Sequence, residues 1–227
     1  VFVVSGNFVW QEVVDLVSRY CLGWPAGLGG RDALPYEPQI SALDLSKDNL
    51  QQAHMCLLGV GPAAADEERY PLEVLGVVLG GSTGSRVYWE ILDKGLADSA
   101  SIDVEEMDGT GIVYGYVSTT PDKLESVGDI LLSIMKTPRE FGDADLSRAV
   151  TKLATGLVLE GESSMRRLMA VGLEWIYRHH YLSLEDELKQ AVIAQTQAGN
   201  TYAQTQQRLK ELAERVDQQV REWAGKR

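Results

Sequence analysis

Two runs of alternating character, residues 99–107 and 111–119, flank Asp108-Gly109-Thr110-Gly111. An Asp-Gly step between alternating runs is a strong hairpin signal, because glycine accepts the backbone angles that a tight reversal needs. The chain is thereby committed to an antiparallel pair. A further strand is predicted from His54 to Val60, an apolar run closed by Gly61-Pro62. The rest of this region has helical spacing. Residues 67–79 place Pro71, Val74, Leu75, Val78 and Leu79 on one face, and a second helix carries Val87, Tyr88, Ile91 and Leu92 up to Gly95. Between them lies the breaker Gly80-Gly81-Ser82-Thr83-Gly84-Ser85. Thr120-Pro121 opens a helix bearing Leu124, Val127, Leu131 and Ile134, and Pro138 stops it. Asp143 to Glu160 holds Leu146, Val150, Leu153 and Leu157 in register; another helix covers about 162–178, and Ser183 is placed to cap one starting near Leu184. Strands alternating with paired helices, plus a hairpin, predict an α+β fold: an antiparallel sheet with helices packed on one face.

The ends of the chain read differently. Val1 to Val4 predicts a short strand stopped by Ser5-Gly6-Asn7, and Val13, Leu16, Val17 and Tyr20 predict a helix that Gly23 closes. With the Gly- and Pro-rich stretch that follows, residues 1–36 form a strand-helix unit, and 37–50 form a linker. One edge strand is expected around Ile40 to Leu45. The main domain spans 51–190. Residues 191–227 are a Gln-rich tail in which Leu209, Leu212, Val216, Val220 and Trp223 make a thin apolar stripe, an amphipathic helix that must dock on this chain or on a partner. The chain opens without Met and in mid-strand, as a processed or partial chain would.

A net charge of −12 on 227 residues repels phosphate backbones, which argues against nucleic acid and anionic membrane surfaces as partners. It suits basic peptides or a basic partner domain, or serves solubility alone. No apolar run approaches the roughly 20 residues of a membrane span. The N-terminus lacks the basic region of a signal peptide. The cytoplasm is the expected compartment, with a bacterial periplasm as the alternative. Cys21 and Cys56 sit in apolar-periodic segments and read as small buried hydrophobes, not as a disulfide framework.

Catalytic signals are incomplete. A hydrolytic zinc site needs about three protein ligands around an open position. The histidines are His54, His179 and His180, and neither H-E-x-x-H nor H-x-x-E-H occurs. His179 and His180 are adjacent, so on a helix they point about 100° apart. The acids Glu185, Asp186 and Glu187 suit a helix N-terminus. The Gly80 to Ser85 loop lacks the lysine of a phosphate-binding loop and follows a helix, so a helix-to-helix turn is the better reading. Ser163 and Ser164 read as caps, not nucleophiles.

Several segments, in order, resemble the pitrilysin/insulinase-type zinc peptidases, the inverzincins. Val3-Val4-Ser5-Gly6-Asn7-Phe8 with its helix is similar to that family's "VVAGN(F/V)" unit. Gln52-Ala53-His54 through Gly61-Pro62 and Arg69-Tyr70-Pro71-Leu72-Glu73-Val74-Leu75 resemble the opening of its second, non-catalytic domain. Leu79-Gly80-Gly81-Ser82 to Ser85-Arg86-Val87-Tyr88 is similar to its glycine-rich turn, and Gly95-Leu96-Ala97 to its "GLAYS" segment. Gly161-Glu162-Ser163-Ser164-Met165 and Trp175 to Leu188 resemble later helices of one bacterial branch.

The resemblance implies half of a metallopeptidase clamshell, in which two homologous halves close around an unfolded peptide. The zinc and its H-x-x-E-H motif then belong to an N-terminal half absent from this chain, and residues 1–22 to the end of that half. The family's substrate-holding Arg and Tyr fall at Leu92 and Asp98, which cannot do that work: Leu92 has no donor, and an ionised Asp98 would repel an oxyanion. No catalytic or metal-ligating residue is therefore expected in this chain. Substrate contact is assigned to Gly80, Gly81, Ser85 and Arg86, with an ion-pair role as the alternative for Arg86. Expected partners are the zinc-bearing half or a homologous subunit, an extended peptide, and in another arrangement a second copy. An inactive peptidase-like scaffold is the competing reading, and an unrelated α+β interaction module a third. The implied homology of the halves also suggests that Val1 to Val4 completes the sheet of region 51–120, covering an edge that would otherwise invite aggregation.

Overall fold

A computed structural model describes residues 1–25, 27, 41–81, 83–136, 141–190 and 193. Three strands, β1 (Ala53–Gly61), β2 (Ser99–Met107) and β3 (Thr110–Thr119), form an antiparallel sheet in the order β1-β3-β2. Met107 pairs with Thr110, so the hairpin loop is Asp108-Gly109, with Gly109 at φ +70°. Strand alternation divides the sheet into two faces. Ala100, Ile102, Val113 and Val117 point to the helices and are buried, whereas Leu58 and Val60 look the other way and are exposed.

Helices among the described residues include α1 (Trp10–Cys21), α2 (Arg69–Leu79), α3 (Leu124–Lys136), α4 (Asp143–Glu162) and α5 (Ser164–Arg178). Helix α3 lies on β3 and β1, α2 lies on β2, α4 packs on α2, and α5 packs on α4. The main core sits between sheet, α2 and α3, where Val127, Leu131 and Ile134 are at most 1% exposed. Each such side chain contributes about 1.5–3 kcal/mol relative to exposure. Between α2 and β2 runs a π-helical turn, Tyr88–Leu92. Asp93 N donates to Tyr88 O and Leu96 N to Ile91 O, both five residues back. The wide turn allows Val87 and Ile91 to be fully buried together. Capping follows the expected residues: Ser163 Oγ accepts from Arg166 N, and Ser183 Oγ from Asp186 N ahead of a helical stretch at 184–190.

The expected α+β arrangement is what the chain adopts. Three local expectations are corrected. Val1 to Val4 forms no strand and joins none of β1 to β3. It lies against α5 instead, where a methyl group placed on Gly172 would stand 3.2 Å from Val3 Cγ2. A β-prone run becomes a strand only beside another strand, and this one meets a helix. Likewise residues 41–45 carry no strand, with Leu43 and Leu45 about 80% exposed. Cys56 is exposed and Cys21 only half-buried; Cys56 falls on the outward phase of β1 with His54 and Leu58. The Pro138 helix stop, the start of the 40–45 strand and nearly all of the 191–227 tail lie outside the described residues. No described helix is long and apolar enough to cross a membrane.

Candidate functional site

The turn holding Gly80, Gly81, Ser85 and Arg86 is one compact structure between β2 and α4. Gly80 ends α2, its N–H donating to Gly76 O at 2.8 Å. A methyl group there would stand 2.1 Å from the backbone nitrogen of Ile102, so α2 meets β2 backbone to backbone and only glycine fits. Gly81 is at the surface. Ser85 is buried, and its Oγ accepts from Tyr88 N at 3.2 Å, closing the start of the π-helical turn. Arg86 pairs with Glu90 at 3.0 Å, one helical step along. From α4, Lys152 donates to Thr83 O at 2.7 Å and Arg148 to Gly84 O at 3.1 Å. The carbonyls of Thr83 and Gly84 are thus held by two cations, and of the four singled-out residues Gly81 is the exposed one.

Leu92 is half-buried and packs on the main core. Asp98 Oδ2 accepts from Gln52 at 2.9 Å, and its N–H donates to Ser118 O at the same distance. Both side chains have structural work at their positions. His54 Nδ1 lies 2.8 Å from Tyr116 OH, and His179 ends α5 in a left-handed conformation. Among the described residues no group of three or more His, Cys, Asp or Glu could hold a metal ion. The described residues therefore offer no set that fits zinc.

A second feature lies between α2, β2, α4 and α5: a cleft of about 280 Å³. One wall is apolar, with Leu153, Leu157 and Leu173; the other carries Arg69, Tyr70, Glu73, Glu106 and Glu174. Arg69 donates to Glu106 at 3.3 Å, to Glu174 at 2.9 Å and to Tyr70 OH at 2.7 Å. Arg178 reaches the same Tyr70 OH at 2.7 Å and pairs with Glu67. Burial works against the charge on Arg69, but Tyr70, Glu174 and Glu106 outweigh it and hold the guanidinium above its ordinary range. Glu73 is open to the cleft, yet crowding by protein, then the charge of Glu106, pushes its carboxyl up to about 7 against the pull of Arg69. Burial raises Glu106 in the same way. Near neutrality this wall can therefore take up or release a proton at Glu73. Sequence reasoning missed the cluster; the signal was the spacing of four in Arg69/Glu73 and Glu174/Arg178, which reads equally well as ordinary surface pairing.

Comparison with known proteins bears on both features. Residues 1–153 match the family described as the Peptidase M16 inactive domain. An uncharacterized zinc protease of Mycobacterium leprae is 28% identical over 200 residues, which are 84% of this chain and 44% of that protein. One of Rickettsia bellii is 26% identical over 202 residues, 85% of this chain and 48% of its own. This chain spans less than half the length of either. Among solved structures, a Helicobacter pylori protease shares the fold with a TM-score of 0.67 at 18% identity, over 87% of this chain and 51% of that one. A Bordetella parapertussis inactive peptidase domain does so at 0.52 and 12%, over 73% and 85%.

Proposed function

This chain belongs to the M16 peptidase family through that family's inactive domain, and from this premise we propose that it is the non-catalytic wall that encloses an extended peptide against a zinc-bearing half. The observation that carries the reading is the match of residues 1–153 to a domain described as inactive. Support comes from relatives described as zinc proteases, of which this chain spans 44% and 48%. Zinc, with its power to activate water, is then the cofactor of the other half. This chain's part is to hold the substrate backbone and exclude water, with an edge strand of the sheet, β1 or β2, offering strand-like pairing. Within the glycine-rich turn, Gly80 and Ser85 set the shape from inside, while Gly81 and Arg86 form the rim nearest the peptide. The zinc-bearing half alone, and then mixed with this chain, is to be assayed for peptide hydrolysis. The reading expects hydrolysis to rise at least tenfold on mixing; equal rates would remove its basis.

A second reading, a peptidase-like scaffold without proteolytic work, is favoured by Leu92 and Asp98. Neither side chain can donate to a developing oxyanion. Mixed halves that bind each other tightly and cut nothing would select it.

A further inference from the structure

The cleft between α2, β2, α4 and α5 holds more acid than its arginines use. Four carboxylates line it, those of Glu73, Glu106, Glu174 and Glu187. Arg69 turns to Glu106 and Glu174, Arg178 to Glu174 and Glu67, and Arg167 to Glu187 at 2.8 Å. Glu73 stands one helical turn beyond Arg69, yet its carboxyl accepts no hydrogen bond from the described residues. A second group is also left incomplete. The Glu174 side chain is 10% exposed, and its Oε1 is buried with no hydrogen-bond partner. Arg178 Nη1 stands 3.3 Å from that oxygen without the alignment of a hydrogen bond. Native interiors pair nearly all such atoms, so an unpaired carboxylate oxygen beside a cleft points to a donor that arrives from outside. Arg69 Nε, also buried and unpaired, is itself a donor and adds nothing to the pull on a cation. Opposite this wall Leu153, Leu157 and Leu173 supply an apolar surface. The space of about 280 Å³ lies just under the roughly 300–1,000 Å³ of ordinary ligand pockets, so it suits one small group. An anion entering it meets arginines that are already paired, whereas a cation meets Glu73 and Glu174.

We propose that this cleft binds an organic monocation, with an ammonium or guanidinium group set against Glu73 and Glu174 and a short alkyl or aryl stem laid on Leu153, Leu157 and Leu173. Free amines and the Lys or Arg side chain of a peptide share that chemistry. The site stands apart from the enclosing-wall reading, because every residue in it belongs to this chain. Its affinity depends on pH. Glu73 is faced by Arg69 and Tyr70 on its own helix, by Glu106 on β2 and by Glu160 on α4. From α5 come Glu174 and Tyr177, with Arg178 behind Glu174, and Glu187 lies beyond them. Among the described residues no histidine lines the cleft. Crowding by protein, then the charge of Glu106, holds the Glu73 carboxyl up at about 7, so the site gains its full negative charge only as pH rises through that value. Glu106, raised by its own burial, adds to the same trend.

The test is calorimetric titration of this chain with phenethylamine, beside 2-phenylethanol and phenylacetate as its neutral and anionic counterparts. Saturable binding of the amine is expected, at least tenfold tighter than that of either counterpart. It is also about tenfold tighter at pH 8 than at pH 6, since a carboxyl ionising near 7 passes from about one-tenth to about nine-tenths charged over that interval. Glu73→Gln keeps the size and removes the charge; it weakens amine binding at least tenfold at pH 8 and flattens the pH dependence. Its urea midpoint at pH 6 stays near that of wild type, which separates a lost site from a lost fold. Leu157→Ala weakens the amine at least threefold by removing part of the stem's surface. Glu125→Gln, on α3 and outside the cleft, leaves affinity unchanged, which excludes a general effect of net charge. A blocked Gly-Ala-Lys-Ala-Gly peptide and its norleucine counterpart distinguish the sources. Tighter binding of the lysine peptide than of the amine assigns the cation to a peptide side chain; the reverse assigns it to a free amine. Equal affinity for amine and alcohol, or an amine affinity that Glu73→Gln leaves unchanged, overturns the proposal.

Discussion

At the scale of single residues, the positions that matter most are those whose neighbours come from distant parts of the chain. Gly80 is one. A side chain there collides with the backbone of Ile102, so Gly80→Ala is expected to cost about 3 kcal/mol, read as a lower denaturation midpoint with unchanged slope. Gly81→Ala tests the turn from its other side, where a methyl group would meet Val77 Cα at 2.8 Å. Glu73 is another. An acid whose folded pKa exceeds its unfolded value binds its proton more tightly when folded, so the stability it confers is present at low pH. That stability falls as pH rises from about 4.5 to about 7. Glu73→Gln cannot titrate, and its denaturation midpoint is expected to decline less over this window than that of wild type. Parallel slopes would show that Glu73 ionises normally.

At the scale of elements, the Arg69 network ties α2 to β2 and α5. Its side chain is 14% exposed, against 23% for Glu106 and 10% for Glu174. Removing one partner of such a cluster strands the others, so Arg69→Met is expected to cost about 3 kcal/mol in urea unfolding. Adding Glu174→Leu should restore part of that loss, because a buried carboxylate without its cation is worse than an apolar pair. Additive losses in the double variant would mean that the two residues act independently. The elements themselves were largely legible. The hairpin announced itself through Asp108-Gly109, and α3 through Leu124, Val127, Leu131 and Ile134, because both signals are local. The network was not: Arg69 and Glu174 lie 105 residues apart, and no spacing rule reaches that far.

At the scale of the whole molecule, stability is unevenly spread. The buried side chains of the main core come from α2, the π-helical turn, the sheet and α3, whereas α1 has none. Native-state hydrogen exchange of this chain by itself should therefore find α1 amides close to unprotected and those of β3 and α3 the slowest, opening only with global unfolding. Uniform protection across α1 and α3 would contradict that gradient.

The alternating runs at 99–107 and 111–119, the helical stripes and the missing zinc motif were determined by the amino-acid order alone, because each depends on neighbours within a few positions. The same order also carried the resemblance to a non-catalytic peptidase half. What only the tertiary structure decided was which surface each stripe meets. It placed Val1 to Val4 against α5 and not beside a strand, turned Cys56 outward, sealed Gly80 against Ile102, and gathered Arg69, Glu106 and Glu174 into one cleft. Each of these depends on backbone or charge brought from far along the chain, and on what that contact excludes from water.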